Sequence, residues 1–514
     1  KEGTLLVPFS PEAPLSGAGF QLKPREKMLC ERLLSVKCLP SDGSRCILHF
    51  GAVDQYAKVL VNGKVVVSHI GGYLPFSADI TDALQEGCNT LTVHIEDRSD
   101  TSHHSVGKQK LKRGGMFYTA QSGIWQTVWM EWVPAVYVKK LELTPLYEKE
   151  TVHVSLLLNH PISGCSDAEA VVCHVRDMDG RLISKGICTN QSDSLCCYSC
   201  YCDVNNMHPW NPDDPYLYTI EIQAGEDKVT GYFAMRTFTI EPDKKGLPRF
   251  CLNHEPLFLN GVLDQGYWPD GLYTAPSDEA LIYDIQTMKN LGFNMIRKHV
   301  KVETARWYYH CDRLGMIVWQ DMVNGGTYNA PFMTWLPALF PKFKLHTSDR
   351  IHPLFGRKNV HGRKAFPCIS TWVIFNEGWG QFDSKKLTAL FRELDDTRLI
   401  DSASGWFDRR QGDFKSEHNY FAKQFVTPSD RAFVISEYGG YTCQVKGHTC
   451  SGKTYGYKIC SSQEEFQAAY HKLMSEEIDP LKEQGLCGAV YTQLSDIEDE
   501  INGLMTYDRE VCKL

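Results

Sequence analysis

The sequence predicts a multidomain protein in which two β-domains precede a parallel β/α barrel. Its 514 residues correspond to roughly three domains at about 150 residues each. Short runs of alternating apolar residues, separated by turn residues, fill the first half of the chain. After residue 248 the pattern changes to helix, glycine and buried strand, and this unit repeats. These observations predict domains at residues 1–135, 136–243 and 244–514.

Composition and charge restrict the classes of partner. Hydrophobic residues make up 43% of the chain and charged residues 23%, which are the values of a folded globular protein. The formal charge is -8 and no long run of like charge occurs, so we expect neither nucleic acid nor membrane as the partner. A neutral small substrate suits this chain better, and the sequence leaves a homo-oligomer open.

The cysteines indicate a reducing compartment. The chain has 19 of them, without the spacing of a disulfide framework, and the odd number leaves at least one without an intrachain partner. We therefore expect reduced thiols and a cytoplasmic location. No apolar stretch reaches about 18 residues, and the first residues lack the basic and apolar regions of a signal peptide. Because residue 1 is Lys rather than Met, a removed signal stays open.

One group of cysteines is dense enough to suggest a metal site. Cys196, Cys197, Cys200 and Cys202 contain both a C-x-x-C and a C-x-C spacing. The same segment alternates as a half-buried strand would, with Cys as a small hydrophobic residue, and no second ligand pair follows at the distance found in zinc fingers. We therefore predict a strand here, and no metal or cofactor for the protein.

The first 135 residues predict an all-β domain. Asn62-Gly63 lies between two alternating apolar runs, and both residue types tolerate the positive φ of a type I′ hairpin turn. Predicted strands cover residues 45–50, 57–61, 64–68, 90–96 and 127–132.

The second domain is predicted to be a small β-sandwich. Strand-like segments occur at residues 152–158, 170–175 and 216–222 without competing helical periodicity. The polar segment at residues 243–248 is the predicted boundary with the barrel.

The remaining chain predicts an eight-stranded barrel. Ser277 and the acids after it begin a helix, and Gly292 ends it before a strand at residues 293–297. A second helix at residues 303–314 ends at Gly315 before a strand at residues 316–320. Further strands are predicted at residues 369–375, 398–402, 433–436 and 489–493. The short connection between residues 354 and 369 predicts an irregular crossover or missing residues.

Two barrel strands end in glutamate, which indicates where chemistry takes place. Glu377 and Glu437 follow apolar runs, and the carboxyl ends of barrel strands meet at one mouth. Two facing carboxylates suit glycoside hydrolysis, with a separation of about 5–5.5 Å for retention and about 6.5–9.5 Å for inversion. The alternative is structural, with either acid paired to an arginine such as Arg297.

Other polar and aromatic residues end strands at the same predicted rim. Each of them can hold a sugar hydroxyl, stack on a sugar ring, or form an internal ion pair or core contact instead. These candidate substrate-binding residues are Asp264, His299, Asp321, Trp379, Trp406 and Gln493.

Several motifs in the same order resemble glycoside hydrolase family 2, which contains β-galactosidases, β-glucuronidases and β-mannosidases. The resemblance covers almost the whole chain and implies a jelly-roll sugar-binding domain, an immunoglobulin-like β-sandwich and a catalytic (β/α)8 TIM barrel. The motifs are Val59-Leu60-Val61-Asn62-Gly63-Lys64, Gly71-Gly72-Tyr73-Leu74-Pro75-Phe76, Gly123-Ile124-Trp125-Gln126-Thr127-Val128-Trp129, Met235-Arg236-Thr237-Phe238 and Phe258-Leu259-Asn260-Gly261-Val262.

The resemblance also implies roles for four residues. Glu377 matches the general acid/base, Asn376 the partner of the sugar 2-hydroxyl, and Glu437 the nucleophile. Tyr420 resembles the tyrosine that hydrogen-bonds this nucleophile. The expected activity is therefore that of a retaining exo-β-glycosidase.

Departures from the family pattern leave the sugar open. Where much of the family has a tryptophan after the last barrel strand, this chain has Gln493 in that region, and the barrel lacks the Asn-x-Lys of glucuronidases. A β-galactoside is the first expectation, with a β-glucuronidase or a β-mannosidase as alternatives. An inactive carbohydrate-binding protein is the alternative of another class. Basic residues that can reach an acidic sugar are Lys446, His448, Lys453 and Lys458.

Overall fold

The computed structural model describes residues 2–102, 104–162, 171–191, 194–323, 357, 360 and 362–514. The expected irregular connection between residues 354 and 369 lies largely outside these residues. No helix in the described part of the chain combines the length and apolarity needed to cross a bilayer.

The N-terminal region is an all-β domain, as the sequence predicts. Its larger sheets have the orders β1-β7-β4-β5 and β11-β2-β6, with all neighbours antiparallel. Asn62 and Gly63 both adopt positive φ, at 51° and 80°. The strands are β1 (Lys27–Val36), β2 (Arg45–Phe50), β3 (Val53–Asp54), β4 (Tyr56–Val61), β5 (Lys64–Ile70), β6 (Phe76–Asp79), β7 (Gly87–Glu96), β8 (Gln109–Lys110), β9 (Tyr118–Thr119), β10 (Gly123–Ile124) and β11 (Val128–Val133).

The edge strand β1 has no counterpart among the predicted strands. Its residues are mostly exposed or half-buried, with Leu29 and Leu33 on the surface. Met28, Cys30 and Leu34 are only partly buried against the core of this domain, and the exposed Leu29 and Leu33 interrupt the alternation of apolar and polar residues. Only its ten-residue pairing with β7 makes it a strand.

The second region is a sandwich of two four-stranded antiparallel sheets, β12-β13-β17-β16 and β15-β14-β18-β19. Alternate residues of β13, β14 and β18 are buried and form one core between the sheets. The strands are β12 (Val138–Leu146), β13 (Thr151–Leu158), β14 (Val171–Arg176), β15 (Leu182–Ile187), β16 (Thr189–Gln191), β17 (Ser194–Asp203), β18 (Tyr218–Ala224) and β19 (Asp227–Phe233).

The C-terminal region contains the predicted barrel. A three-stranded sheet, β20 (Phe238–Pro242), β21 (Pro248–Leu252) and β22 (Glu255–Pro256), leads into it. Eight parallel strands follow in the order β27-β26-β25-β24-β23-β32-β29-β28 and nearly close. These are β23 (Leu259–Asp264), β24 (Met295–Lys298), β25 (Ile317–Asp321), β26 (Ile369–Val373), β27 (Leu399–Asp401), β28 (Phe414–Asn419), β29 (Ala432–Gly439) and β32 (Leu486–Thr492), with β30 (Thr442–Cys443) and β31 (Ile459–Cys460) outside the barrel.

The helices of the barrel are fewer than a regular (β/α)8 repeat has. The connections from β27 to β28 and from β28 to β29 are described completely and contain no helix. Loops rather than helices therefore carry residues 402–413 and 420–431. Among the described residues, the helices of the barrel include α1 (Asp278–Asn290), α2 (Ala305–Leu314), α3 (Ser384–Leu394), α4 (Gln463–Leu473), a π-helical turn (Met474–Ile478) and α5 (Asp479–Lys482).

The N-terminal domain packs on the mouth of the barrel. Thr119 donates its backbone N–H to Glu498 at 3.1 Å, and Arg113 pairs with Asp499 at 3.0 Å. Gly107 adopts positive φ, and a Cβ there would lie 2.8 Å from the Val300 carbonyl oxygen, so the two backbones touch. These contacts hold the loop before β8 beside the ends of the barrel strands.

Two glycines that end helices give a matched test of packing. Gly292 and Gly315 both adopt positive φ, at 87° and 74°, but only at Gly315 would a Cβ collide, 2.2 Å from the Pro212 carbonyl oxygen. We expect Gly315→Ala to destabilise the fold by about 2–4 kcal/mol and Gly292→Ala by about 1 kcal/mol, because the latter carries only backbone strain. Chemical denaturation of both variants checks this. Equal unfolding midpoints for the two variants would contradict the close contact of Gly315, at the end of α2, with Pro212 of the β-sandwich.

Candidate active site

Glu377 and Glu437 lie at the same mouth of the barrel. Glu377 follows β26 and adopts a positive φ of 52°, whereas Glu437 lies within β29. A carboxylate oxygen of each glutamate and a ring nitrogen of His418 all lie within 4.8 Å of one another. Glu377 is half-buried and Glu437 is buried. Two carboxylates of different exposure therefore face each other at the position the strand ends predict.

Glu437 is held as an anion by its neighbours. Its Oε1 accepts from Arg297 at 3.2 Å, and its Oε2 accepts from the Tyr420 hydroxyl at 2.6 Å. Burial opposes ionisation, but the electrostatic influence of His418, His299 and Arg297 outweighs it and lowers the pKa of Glu437 to about 2. This carboxylate is therefore unprotonated at neutral pH.

Arg297 is the fully buried cation that organises the site. Its Nε and Nη2 donate to the two oxygens of Asp321, both at 3.0 Å, and Nη2 also donates to Asn376 Oδ1 at 2.8 Å. Arg297 also donates to Glu437, so the ion pair that the sequence offered as the structural alternative is present. Both carboxylate oxygens of Asp321 accept hydrogen bonds from Arg297, and one of them also contacts His299. Asp321 therefore orients these two side chains. Asn376 keeps its amide nitrogen as a donor for a ligand.

His418 was missed in the sequence analysis. It ends β28 two residues before Tyr420, and its Nδ1 lies 2.9 Å from Glu377 Oε1 while its Nε2 lies 3.5 Å from Glu437 Oε1. Gly405 is required beside it, because a Cβ there would lie 2.5 Å from the ring. The signal available in the sequence was its place at a strand end. The group of Glu377, His418 and Glu437 also has the atom types that bind a divalent cation.

Tyr420 reaches the site from the loop after β28. Besides donating to Glu437, its hydroxyl lies 2.9 Å from Thr492 Oγ1, and its ring stacks on Tyr457 at a centroid distance of 4.1 Å. Burial raises the pKa of this phenol well above its usual value, so it stays a hydrogen-bond donor. This packing fixes the direction in which Glu437 points.

His299 and Asp264 differ in what they leave available. His299 Nδ1 contacts Asp321 Oδ2 at 2.8 Å, while its Nε2 is buried without a partner among the described residues. Burial lowers the pKa of His299, which favours the neutral ring. Asp264 instead contacts Lys298 and the Gly266 N–H, within an internal network of charges. The Nε2 atom of His299 can therefore contact a ligand, whereas the carboxylate of Asp264 is already paired within the protein.

The remaining candidates lie around the same opening. Trp406 is 38% exposed and approaches His418 edge-on at 6.2 Å between ring centroids. Trp379 is buried and contacts Phe117 edge-on at 6.5 Å. Gln493 donates to Asn502 Oδ1 at 2.9 Å, and its Oε1 is buried without a partner in the described part of the chain. Trp406 and Gln493 thus offer a surface and an acceptor to a ligand.

Lys108, from the N-terminal domain, is the second residue that the sequence analysis missed. It follows Gly107, whose backbone touches Val300 beside His299. After His418, His299 and Arg297, Lys108 is the next positive charge that lowers the pKa of Glu437. Among the described residues, no carboxylate lies within 4.0 Å of its ammonium group. The basic residues considered after Glu437 differ, since Lys446, Lys453 and Lys458 are exposed and His448 pairs with Asp508 at 2.8 Å.

Two family models match the chain. Residues 31–134 match the sugar binding domain of glycosyl hydrolases family 2, and residues 245–512 match the TIM barrel domain of that family. The second match alone covers more than half of the chain.

Relatives and solved structures agree with these matches. A β-galactosidase of Thermoanaerobacter pseudethanolicus is 22% identical over 432 residues, which are 79% of this chain and 53% of the relative. The β-galactosidase large subunit of Leuconostoc lactis is 26% identical over 376 residues, 70% of this chain and 55% of the relative. The chain thus spans about half the length of the curated relatives it matches.

A similar fold occurs in the Bifidobacterium dentium β-glucuronidase complexed with coumarin-3-O-glucuronide. The two structures superpose with a TM-score of 0.74 at 19% identity, and the match covers 98% of this chain and 89% of that one. The predicted fold class, two β-domains followed by a TIM barrel, is confirmed. With its barrel and its N-terminal domain both matched, the chain belongs to family 2 of the glycosyl hydrolases.

Proposed function

We propose that the protein is a retaining exo-β-glycosidase in which Glu437 is the nucleophile and Glu377 the general acid/base. The observation that carries this proposal is the approach of the two carboxylates to within 4.8 Å. This close approach of one oxygen from each group favours the closely spaced carboxyl groups of retaining enzymes, about 5–5.5 Å apart, over the separation of about 6.5–9.5 Å in inverting enzymes. Glu437 is ionised, as attack requires, and Glu377 is the more exposed acid.

The reaction then proceeds in two displacements. Glu437 attacks the anomeric carbon while the glycosidic C–O bond breaks and Glu377 transfers its proton to the leaving oxygen. Water next attacks the same carbon, gives its proton to Glu377, and the bond to Glu437 breaks. Asn376 holds the sugar 2-hydroxyl, and Tyr420 and Arg297 orient Glu437. His418 contacts Glu377 directly and positions it.

The first substrate we propose is a β-galactoside, with β-mannosides as an alternative. Curated relatives of this chain carry the name β-galactosidase, and they support this choice. A panel of nitrophenyl β-glycosides, followed by NMR of the first-formed sugar, tests it. Release of the β-anomer supports the proposal, and the α-anomer would refute retention. Binding of sugars without any turnover would favour the inactive carbohydrate-binding protein. The cytoplasmic location and a homo-oligomer stay predictions.

A β-glucuronide is the second candidate, because Lys108 lies near Glu437 and Glu500 and forms no ion pair within 4.0 Å among the described residues. We expect Lys108→Ala to lower kcat/KM for nitrophenyl β-glucuronide by about 10-fold or more, since a charge-assisted hydrogen bond to the uronate is lost. The β-galactoside should change by only about 2-fold. Lys112→Ala, an exposed lysine of the same loop, is the control. An equal loss on both substrates would exclude uronate recognition by Lys108.

The charge of Arg297 predicts a change in pH dependence. In the Arg297→Met variant the guanidinium no longer counteracts the effect of burial, so the pKa of Glu437 should rise. The acid limb of the kcat/KM profile should then move to higher pH by about 1 unit or more. Arg297→Lys keeps a positive charge and should restore much of the profile. Arg392→Met, which breaks a distant pair with Asp413, is the control for a lost arginine. An unmoved acid limb would contradict the electrostatic role.

A further inference from the structure

Four cysteine sulfurs meet inside the second β-domain, far in sequence from the proposed catalytic residues. Cys173 lies on β14, Cys188 joins β15 to β16, and Cys200 and Cys202 lie on β17. The Cys188 sulfur is 2.7 Å from that of Cys200 and 3.5 Å from that of Cys173. The Cys200 sulfur is 4.0 Å from those of both Cys173 and Cys202. Cys173, Cys188 and Cys202 are buried in the core between the two sheets, and Cys200 is partly buried against it.

These separations suit four thiolates around one ion. Zinc binds thiolate sulfur at about 2.3 Å in a tetrahedron, which places the sulfurs about 3.8 Å apart. Of the six separations among the four sulfurs, three lie close to that value, at 3.5, 4.0 and 4.0 Å. The sulfurs of Cys173, Cys188 and Cys200 all lie within 4.8 Å of one another, and Cys202 adjoins this group through Cys200. The contact of Cys188 with Cys200, at 2.7 Å, is shorter than the separation of zinc-bound sulfurs, so these two sulfurs would move apart by about 1 Å when the ion binds.

The surroundings leave room for the sulfurs and little else. Gly186 is the partner of Cys173 in the pairing of β14 with β15. A Cβ at Gly186 would lie 2.5 Å from the Cys202 sulfur and 3.0 Å from the Cys200 sulfur. Gly186 does not have a positive φ, so space rather than backbone conformation accounts for glycine at this position.

We propose that Cys173, Cys188, Cys200 and Cys202 bind one zinc ion as a tetrathiolate that joins the two sheets of the second β-domain. The C-x-C pair of Cys200 and Cys202 supplies two ligands, and the second pair comes from Cys173 and Cys188 on other strands. Cys196 and Cys197, which the sequence analysis grouped with the first pair, are not part of the site. The ion has a structural role and takes no part in glycoside hydrolysis.

Metal content and cobalt substitution test the proposal on the full chain. Protein purified without chelator is expected to hold about one zinc per chain, and cobalt in its place should give the absorption bands of a tetrahedral thiolate site. A variant with Cys173→Ser and Cys200→Ser should lose both the bound zinc and the cobalt absorption bands. The control is Cys443→Ser with Cys460→Ser, a buried pair facing each other across β30 and β31.

A measurement on the unmodified protein keeps the test decisive if the serine variant fails to fold. Stripping the wild-type chain with a chelator should lower its melting temperature by several degrees, and zinc should restore it, because the ion binds the folded state. A disulfide between Cys188 and Cys200, found by peptide mapping under non-reducing conditions, would overturn the proposal. So would reduced protein that takes up neither zinc nor cobalt.

Discussion

Replacing Glu437 with alanine is expected to lower kcat on nitrophenyl β-glycosides by about 10⁴-fold or more, because the step that forms the covalent intermediate loses its nucleophile. The side chain accepts hydrogen bonds from Arg297 and Tyr420, and its pKa of about 2 keeps it ionised. Both properties serve attack on the anomeric carbon. Steady-state kinetics at saturating substrate measures the loss.

Azide distinguishes a lost nucleophile from a damaged fold. In Glu437→Ala, azide can enter the space of the carboxylate and attack from the same face, so the product should be the α-glycosyl azide. Glu417→Gln is the matched control, since Glu417 lies on the neighbouring strand β28 and is half-buried. Full activity of Glu437→Ala without azide would refute the assignment. Similar losses in both variants would point to general damage.

Replacing Glu377 with alanine is expected to have an effect that depends on the leaving group. Natural glycosides with poor leaving groups should lose about 10²–10⁴-fold in kcat/KM, whereas activated nitrophenyl glycosides need little protonation and should lose less. The alkaline limb of the pH profile, which reports loss of the acid's proton, should disappear. Kinetics on a disaccharide and on a nitrophenyl glycoside gives the comparison.

The azide product again separates the two glutamates. In Glu377→Ala, azide attacks the covalent intermediate from the face that Glu377 occupied, and the β-glycosyl azide should form. Formation of the α-glycosyl azide by Glu377→Ala would mean that the roles assigned to Glu377 and Glu437 are exchanged. The same variant with unchanged disaccharide hydrolysis would remove Glu377 from the mechanism altogether.

The pair of glutamates could be predicted because each one follows an apolar run directly. Local order places a residue at the end of a strand, and parallel strands bring their ends to one edge of the barrel. The contacts of Arg297 could be listed only as alternatives. Its choice of Asp321, Asn376 and Glu437 depends on three strands meeting around one side chain.

His418, Lys108 and the cysteine group show what local patterns leave out. His418 stands in an ordinary polar triplet, and the pairing of β28 with β29 places it opposite Glu437 and beside Glu377. Lys108 belongs to a different domain, whose packing on the mouth depends on contacts such as that of Gly107 with Val300. The sulfur of Cys188 comes to Cys200 by the crossing of the chain from one sheet to the other.

By itself, then, the sequence determined the fold class, the change from β-domains to a βα barrel, and the two acids expected at the barrel mouth. These depend on residue spacing and on turn residues, which act over a few positions of the chain. The domain boundaries at residues 135 and 243 stay predictions. Only the tertiary structure decided which charges lie around Glu437 and which four sulfurs meet, because such contacts join positions that chain spacing does not relate.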